Sequence, residues 1–163
     1  MTSPTPSPTP STTPDPDRPS EADKGALFDA VAVEHAAIYG YGIVSAHSSP
    51  EENPLVSDAL AQHRERREAA IAMLTGRSAK APLPAVGYQL PFAVVTPDDA
   101  AKLAVRMEND CAVAWRAVIE QATSEDDRRF AVTALTECAV MAARWNRVLG
   151  VWPVTVAFPG GSE

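Results

Sequence analysis

Cysteine is scarce in this chain of 163 residues: Cys111 and Cys138 are its only two. Two are too few for a disulfide framework, and their spacing does not form a Cys-x-x-Cys pair. Basic residues are also in deficit. Fourteen Lys and Arg against 21 Asp and Glu leave a formal charge of −7, which argues against non-specific binding to nucleic acid or anionic lipid. No apolar run approaches the ~20 residues that span a bilayer. Met1-Thr2-Ser3-Pro4 has neither the basic start nor the apolar stretch of a secretory leader, so a cytoplasmic location is expected by default. No nucleophile–base arrangement, phosphate-binding glycine loop or basic–aromatic stripe is visible. The usual signatures of nucleophilic catalysis and nucleotide binding are therefore missing.

What is present is one domain's worth of apolar sequence. The hydrophobic fraction, 45%, suits a single core. Residues 1–19 stand apart, being Ser, Thr, Pro and Asp with seven of the fifteen prolines and no apolar side chain beyond Met1. Such a stretch cannot offset its ordering entropy and is read as a disordered tail. The folded domain is expected over 20–160.

Helix starts are legible after the tail. Ser20-Glu21-Ala22-Asp23, Ser49-Pro50-Glu51-Glu52, Thr96-Pro97-Asp98-Asp99 and Ser124-Glu125-Asp126-Asp127 each pair an oxygen acceptor with acids in the first turn. Gly76 and Gly150 mark stops. Helices are predicted over 21–48, 51–75, 97–122 and 125–149, so the fold is all-α.

Apolar residues recur at helical spacing in all four segments, and each stripe carries an ionisable residue near its midpoint. The first runs Leu27, Val31, Glu34, Ile38, Tyr41, Ser45. The second runs Val56, Leu60, His63, Arg67, Ala70, Leu74. The third runs Ala101, Ala104, Glu108, Cys111, Trp115, Val118, and the last Phe130, Ala134, Glu137, Met141, Trp145, Val148. A buried charge is costly unless paired or ligated. Glu34, His63, Glu108 and Glu137 at one level of four helices therefore predict a shared site.

Short links after the first and third helices predict two antiparallel hairpins. Between the second and third helices lie residues 77–96, including Ala81-Pro82-Leu83-Pro84 and Gly87-Tyr88-Gln89-Leu90-Pro91-Phe92. A 25-residue helix is roughly 37 Å long. Twenty extended residues reach about 66 Å, so this segment can run the length of the bundle. The tail Val151–Pro159 is too apolar to dangle and is expected to pack on the helices.

Glu34-His35-Ala36-Ala37-Ile38-Tyr39-Gly40-Tyr41-Gly42, the Gly87–Phe92 crossover and Ala157-Phe158-Pro159-Gly160 together resemble the alanine-rich ferritin-like domain of actinobacteria, a family without an assigned function. The likeness covers about residues 21–160. It implies a ferritin-like four-helix bundle, two hairpins joined by one long crossover. Metal-binding ferritin-like proteins supply Glu from the first helix, Glu-x-x-His from the second, Glu from the third and often Glu-x-x-His from the fourth. Glu34, His63, Glu108 and Glu137 match one ligand from each. Leu60 and Val140 stand where two further ligands would be.

Two readings of the site follow. The preferred one is a degenerate, non-catalytic core polar cluster in a dimeric protein, with Arg67 and Arg144 as counter-charges and no cofactor. The alternative is an iron-binding oxidoreductase or ferroxidase-type protein that uses Glu34, His63, Glu108 and Glu137 as ligands. A zinc site joining His63 to Cys111 and Cys138 is weaker, since cysteine is usually a small core residue. His35 is read as a partner of the site or a residue at the stripe's edge, and His47 as solvated. Trp115 and Trp145 are assigned to the core, and Arg64–Glu68 to a surface pair. Tyr39-Gly40-Tyr41-Gly42 implies a close approach by another helix. No nucleic-acid or membrane partner is expected.

Overall fold

The structure, a computed structural model, describes residues 15–161 and is all-helical, with no strand among the described residues. Four helices follow in order: α1 (Ala22–His47), α2 (Asn53–Thr75), α3 (Pro97–Gln121) and α4 (Glu125–Val148). A single 3-10 turn, Pro50–Glu52, precedes α2. Their ends follow from local chemistry. The Thr96 hydroxyl accepts from the Asp99 amide at 3.1 Å while the Asp99 carboxylate accepts from the Thr96 amide at 3.0 Å, closing a reciprocal cap. Ser124 accepts from the Asp127 amide at 3.1 Å and starts α4. The Glu52 carboxylate accepts from the Ser49 amide at 2.8 Å, but this cap heads the 3-10 turn and not α2 itself. Ser20 caps nothing; Glu21 takes the N-cap position of α1.

The side-chain bonds between helices fix the topology. Glu34 meets Trp115 and Tyr41 meets Glu108, so α1 and α3 run antiparallel. Arg66 meets Glu34 while Arg77, beyond the end of α2, lies 3.7 Å from Asp23 at the start of α1. Hence α2 is antiparallel to α1 and parallel to α3, as the long connection predicts. That connection contains no helix. It follows α1, with the Pro82 carbonyl 3.2 Å from His35 Nε2 and the Tyr88 ring 5.3 Å from Tyr39. Packing is closest between α3 and α4, α1 and α3, and α1 and α2. The fourth side is open: a groove of about 210 Å³ separates α2 from α4.

Residues 1–14 of the expected tail lie outside the described residues. Its last part is anchored. The Arg18 guanidinium donates to both Asp29 oxygens at 2.7 and 2.6 Å, and Lys80 donates to Asp17 at 2.8 Å. Asp17 and Arg18 thus lie against the crossover and α1, held by charge where apolar side chains are lacking. At the other end, Asn146 donates to the Val154 carbonyl at 2.9 Å, so the C-terminal segment does lie on α4. Its large side chains nonetheless face outward, Trp152 being 78% exposed and Phe158 69%. α1 is, by length and composition, apolar enough to cross a membrane, but over half of that stretch is buried inside the bundle. Gly40 supplies the predicted close approach. A Cβ there would meet the Met107 side chain of α3, whereas one at Gly42 would meet nothing.

Candidate functional site

The apolar core is divided in two. Leu27, Phe28, Val31, Leu74, Trp115 and Ala131 belong to one cluster, and Tyr41, Val44, Val56, Leu103, Met141 and Trp145 to the other. Between them lies a polar layer that includes Glu34, His63 and Glu108, all fully buried. The convergence predicted for these three residues is therefore present. His63 is the centre. Its Nδ1 lies 2.6 Å from Glu34 Oε2 and its Nε2 3.1 Å from Glu108 Oε1, so the ring is clamped between two carboxylates. Burial alone would pull the His63 pKa down. The hydrogen bonds to Glu108 and Glu34 outweigh it and raise the value to about 9. The ring is then a doubly protonated imidazolium at neutral pH, donating from both nitrogens.

The second cation is Arg66, 5% exposed, whose Nε donates to Glu34 Oε1 at 3.1 Å and whose Nη1 donates to Glu137 Oε2 at 3.0 Å. Its Nη2 also lies 2.9 Å from His63 Nδ1. Since the Nδ1 proton points to Glu34, this last contact joins two donors and is a neighbour contact without a shared proton. Glu34 receives a further hydrogen bond from Trp115 Nε1 at 2.7 Å. Burial pushes the Glu34 pKa up, but the His63 hydrogen bond, the His63 and Arg66 charges and Trp115 together hold it below the usual carboxylate range. On the other side Tyr41 donates to Glu108 Oε1 at 2.6 Å and accepts from Trp145 Nε1 at 2.9 Å. Burial and the adjacent Glu108 charge raise the Tyr41 pKa, so its hydroxyl stays a donor. Glu108 Oε2 is buried without a partner, alone among the described residues.

Two expectations need correction. Arg67 and Arg144 do not enter the cluster. Arg67 pairs with Glu68 at 2.6 Å, and Arg144 lies 3.4 Å from Asp58 on the surface. Glu68 is thus bonded to Arg67 and not to Arg64. Glu137 is not a core residue either: its side chain is 41% exposed at the groove and reaches the layer only through Arg66. The cause is helical phase. The buried face of α2 is Val56, Ala59, His63, Arg66, Ala70 and Leu74, and that of α4 includes Ala131, Ala134, Cys138, Met141 and Trp145. A step of three or four keeps the same periodicity, and the sequence pattern took the other step at 60, 67 and 137.

Several contributors are not evident from sequence. Arg66 looks like one more charge in Arg64-Glu65-Arg66-Arg67-Glu68. The indole N–H of Trp115 and of Trp145, both assigned only to the core, each serve the network. His35 stays outside it, bonded to the crossover, and half-buried His47 lies at the end of α1. Ligand-type atoms of Glu34, His63 and Cys111 lie within 4.8 Å of one another. As a set, two buried carboxylates face two buried cations, which can hold protons and fix helices. The set offers few free lone pairs.

Comparison with known proteins follows this geometry. Residues 26–163 match the family described as Domain of unknown function (DUF4439). The chain is also similar to the crystal structure of a conserved hypothetical protein, rv2844, from Mycobacterium tuberculosis. The identity is 65%, the match covers 80% of this chain and 98% of that one, and the TM-score is 0.78. No curated protein matches.

Proposed function

This chain belongs to the family Domain of unknown function (DUF4439), and on that premise we propose that it is a ferritin-like bundle whose metal site has become a closed charge layer. It is non-catalytic and works as a homodimeric binding or structural protein. The observation that carries this reading is the placement of Arg66. In metal-binding ferritin-like bundles, two helices each present an inward Glu-x-x-His pair, three residues apart. Midway along each helix, the inward pairs at that spacing are His63 with Arg66 on α2 and Cys138 with Met141 on α4. Leu60 is only partly buried and Val140 is 55% exposed, so neither position faces the layer.

The residues do not fit two irons. A dinuclear centre needs bridging carboxylates to hold the metals and offset their charge. This layer has two buried carboxylates, both engaged by His63, and a guanidinium against Glu34. In favour of the competing iron-oxidoreductase reading stands the unpartnered Glu108 Oε2. Against it stand the rim position of Glu137 and its engagement by Arg66. The dimer is supported by Val140, Trp152, Val156 and Phe158, large apolar side chains exposed on α4 and the segment after it. A reducing compartment such as the cytoplasm suits two free thiols.

The test is metal analysis of protein purified without chelator, with ferrous-dependent oxygen consumption measured alongside. The expected result is well under one iron per chain and no oxygen uptake above background. Two tightly held irons per chain would overturn the proposal.

A further inference from the structure

We propose that the groove between α2 and α4 binds a free amino acid with an apolar side chain, its carboxylate on Arg66 and its ammonium group at Glu65 and Glu137. Two ion pairs span these helices, Arg144 with Asp58 at 3.4 Å and Arg66 with Glu137 at 3.0 Å. Residue numbers rise along α2 as they fall along α4, so the two run antiparallel. On that register Glu65 comes level with Glu137, and Ala69 with Thr133. All four line the groove, together with Arg66 and Phe130. Glu65 and Thr133 are exposed whereas Arg66 is 5% exposed, so the guanidinium forms the floor and the carboxylates the rim. Of the groove's residues only Arg66 belongs to the polar layer.

Arg66 has donors to spare. A guanidinium carries five N–H groups. Here Nε serves Glu34 and one Nη1 proton serves Glu137. The close neighbour of Nη2 is His63 Nδ1 at 2.9 Å. That nitrogen lies 2.6 Å from Glu34 Oε2, a contact that requires the proton between them. Nδ1 therefore has no lone pair for Arg66, and three N–H groups remain without an acceptor. The little surface that Arg66 keeps opens on the groove. A carboxylate entering there would meet a planar fork of matching shape, in a partly desolvated setting where such bonds are strong.

The rim selects what else the ligand must carry. Glu65 and Glu137 outnumber the single guanidinium, so a simple anion is repelled on approach and a simple cation leaves Arg66 unanswered. A molecule with a carboxylate and an ammonium group one carbon apart answers both. Glu137 engages Arg66 through Oε2 alone, and the Thr133 hydroxyl, which donates to the Arg129 carbonyl, keeps lone pairs that can accept from an ammonium. Phe130, held edge-on by Trp115 at 5.5 Å, and Ala69 give an apolar wall for the side chain. The volume, about 210 Å³, lies below the roughly 300–1,000 Å³ of sites for drug-sized ligands. It suits a single amino acid and excludes a nucleotide or a folded peptide.

The folded full chain is titrated by calorimetry with L-valine, L-leucine, L-methionine and L-phenylalanine in turn. The expected result is one molecule bound per chain for at least one of the four. The amide of that amino acid keeps the ammonium group, and its des-amino acid keeps the carboxylate. Each should bind about tenfold more weakly or worse, through loss of one charge-assisted hydrogen bond. Ala69→Leu puts a side chain into the groove and leaves every ligand-facing charge in place. It should abolish binding with helicity and melting temperature unchanged, and Glu65→Gln should weaken binding several-fold. No binding by any of the four would overturn the proposal. So would an amide or des-amino acid that binds as tightly as its parent, or binding that survives Ala69→Leu. Iron content is measured separately, so a failure here leaves the charge-layer reading standing.

Discussion

Raising the pH should destabilise this protein well below the range where most proteins respond, because one buried histidine carries half of the layer's positive charge. The His63 pKa is about 9 in the folded state, against roughly 6.5 in an unfolded chain. A raised folded pKa contributes stability that is fully present below the unfolded value and is lost as pH climbs through the folded one. About 2.5 units at 1.36 kcal/mol each amount to roughly 3 kcal/mol. Roughly 2 kcal/mol of that should disappear between pH 6 and pH 8.5. His35 works in the opposite sense, since burial holds its pKa below the ordinary value, but its effect lies mostly below this window. Cys111 and Tyr41 have raised values and add losses of the same sign, though only above the unfolded range of a thiol or phenol. Stopping at pH 8.5 isolates the histidine. The assay is urea unfolding at half-unit steps of pH, followed by circular dichroism at constant ionic strength, with the slope checked for constancy. A stability that is flat or rising from pH 6 to 8.5 would refute the imidazolium assignment, and His63→Gln should flatten the profile.

Arg66→Met should destabilise by about 3–5 kcal/mol, since it strands Glu34 in the core, while Arg67→Met and Arg144→Met should each cost less than about 1 kcal/mol; equal urea midpoints for the three variants would contradict the site. Gly42→Ala should stabilise by up to about 1 kcal/mol, and Gly40→Ala should stabilise less, because its methyl requires the Met107 side chain to shift; thermal melts of the pair decide whether α1 and α3 touch there. Deleting residues 1–14 should leave the melting temperature unchanged within a degree or so, as expected for a Pro/Ser/Thr-rich stretch. Removing 15–19 as well should lower stability by less than about 1 kcal/mol, through loss of the exposed Arg18–Asp29 and Asp17–Lys80 pairs.

The helix boundaries were readable because caps are local. Thr96 with Asp99, or Ser124 with Asp127, needs only four residues to identify itself, and the all-α assignment with its long crossover followed from such signals. The level of the site was equally readable, since Glu34, His63 and Glu108 interrupt otherwise apolar stripes. Its wiring was not. Whether Leu60 or Ala59 faces inward depends on a difference of one residue in helical phase, which packing decides and periodicity does not resolve. The same ambiguity hid Arg66 behind Arg67 and Cys138 behind Glu137. Partnerships such as Trp115 with Glu34 join residues 81 apart, and nothing in a single sequence announces them.

The division of the core by a polar layer has a consequence for how the helices find their alignment. Two oily clusters alone would tolerate sliding, since leucine, alanine and valine pack interchangeably at several offsets. The layer acts as an index pin. A shift of α2 by one turn, about 5.4 Å, would carry His63 and Arg66 into hydrocarbon and leave Glu34 and Glu108 unanswered, at several kcal/mol per stranded charge. Misaligned bundles are thus penalised, and one polar layer sets the frame for the whole assembly of helices.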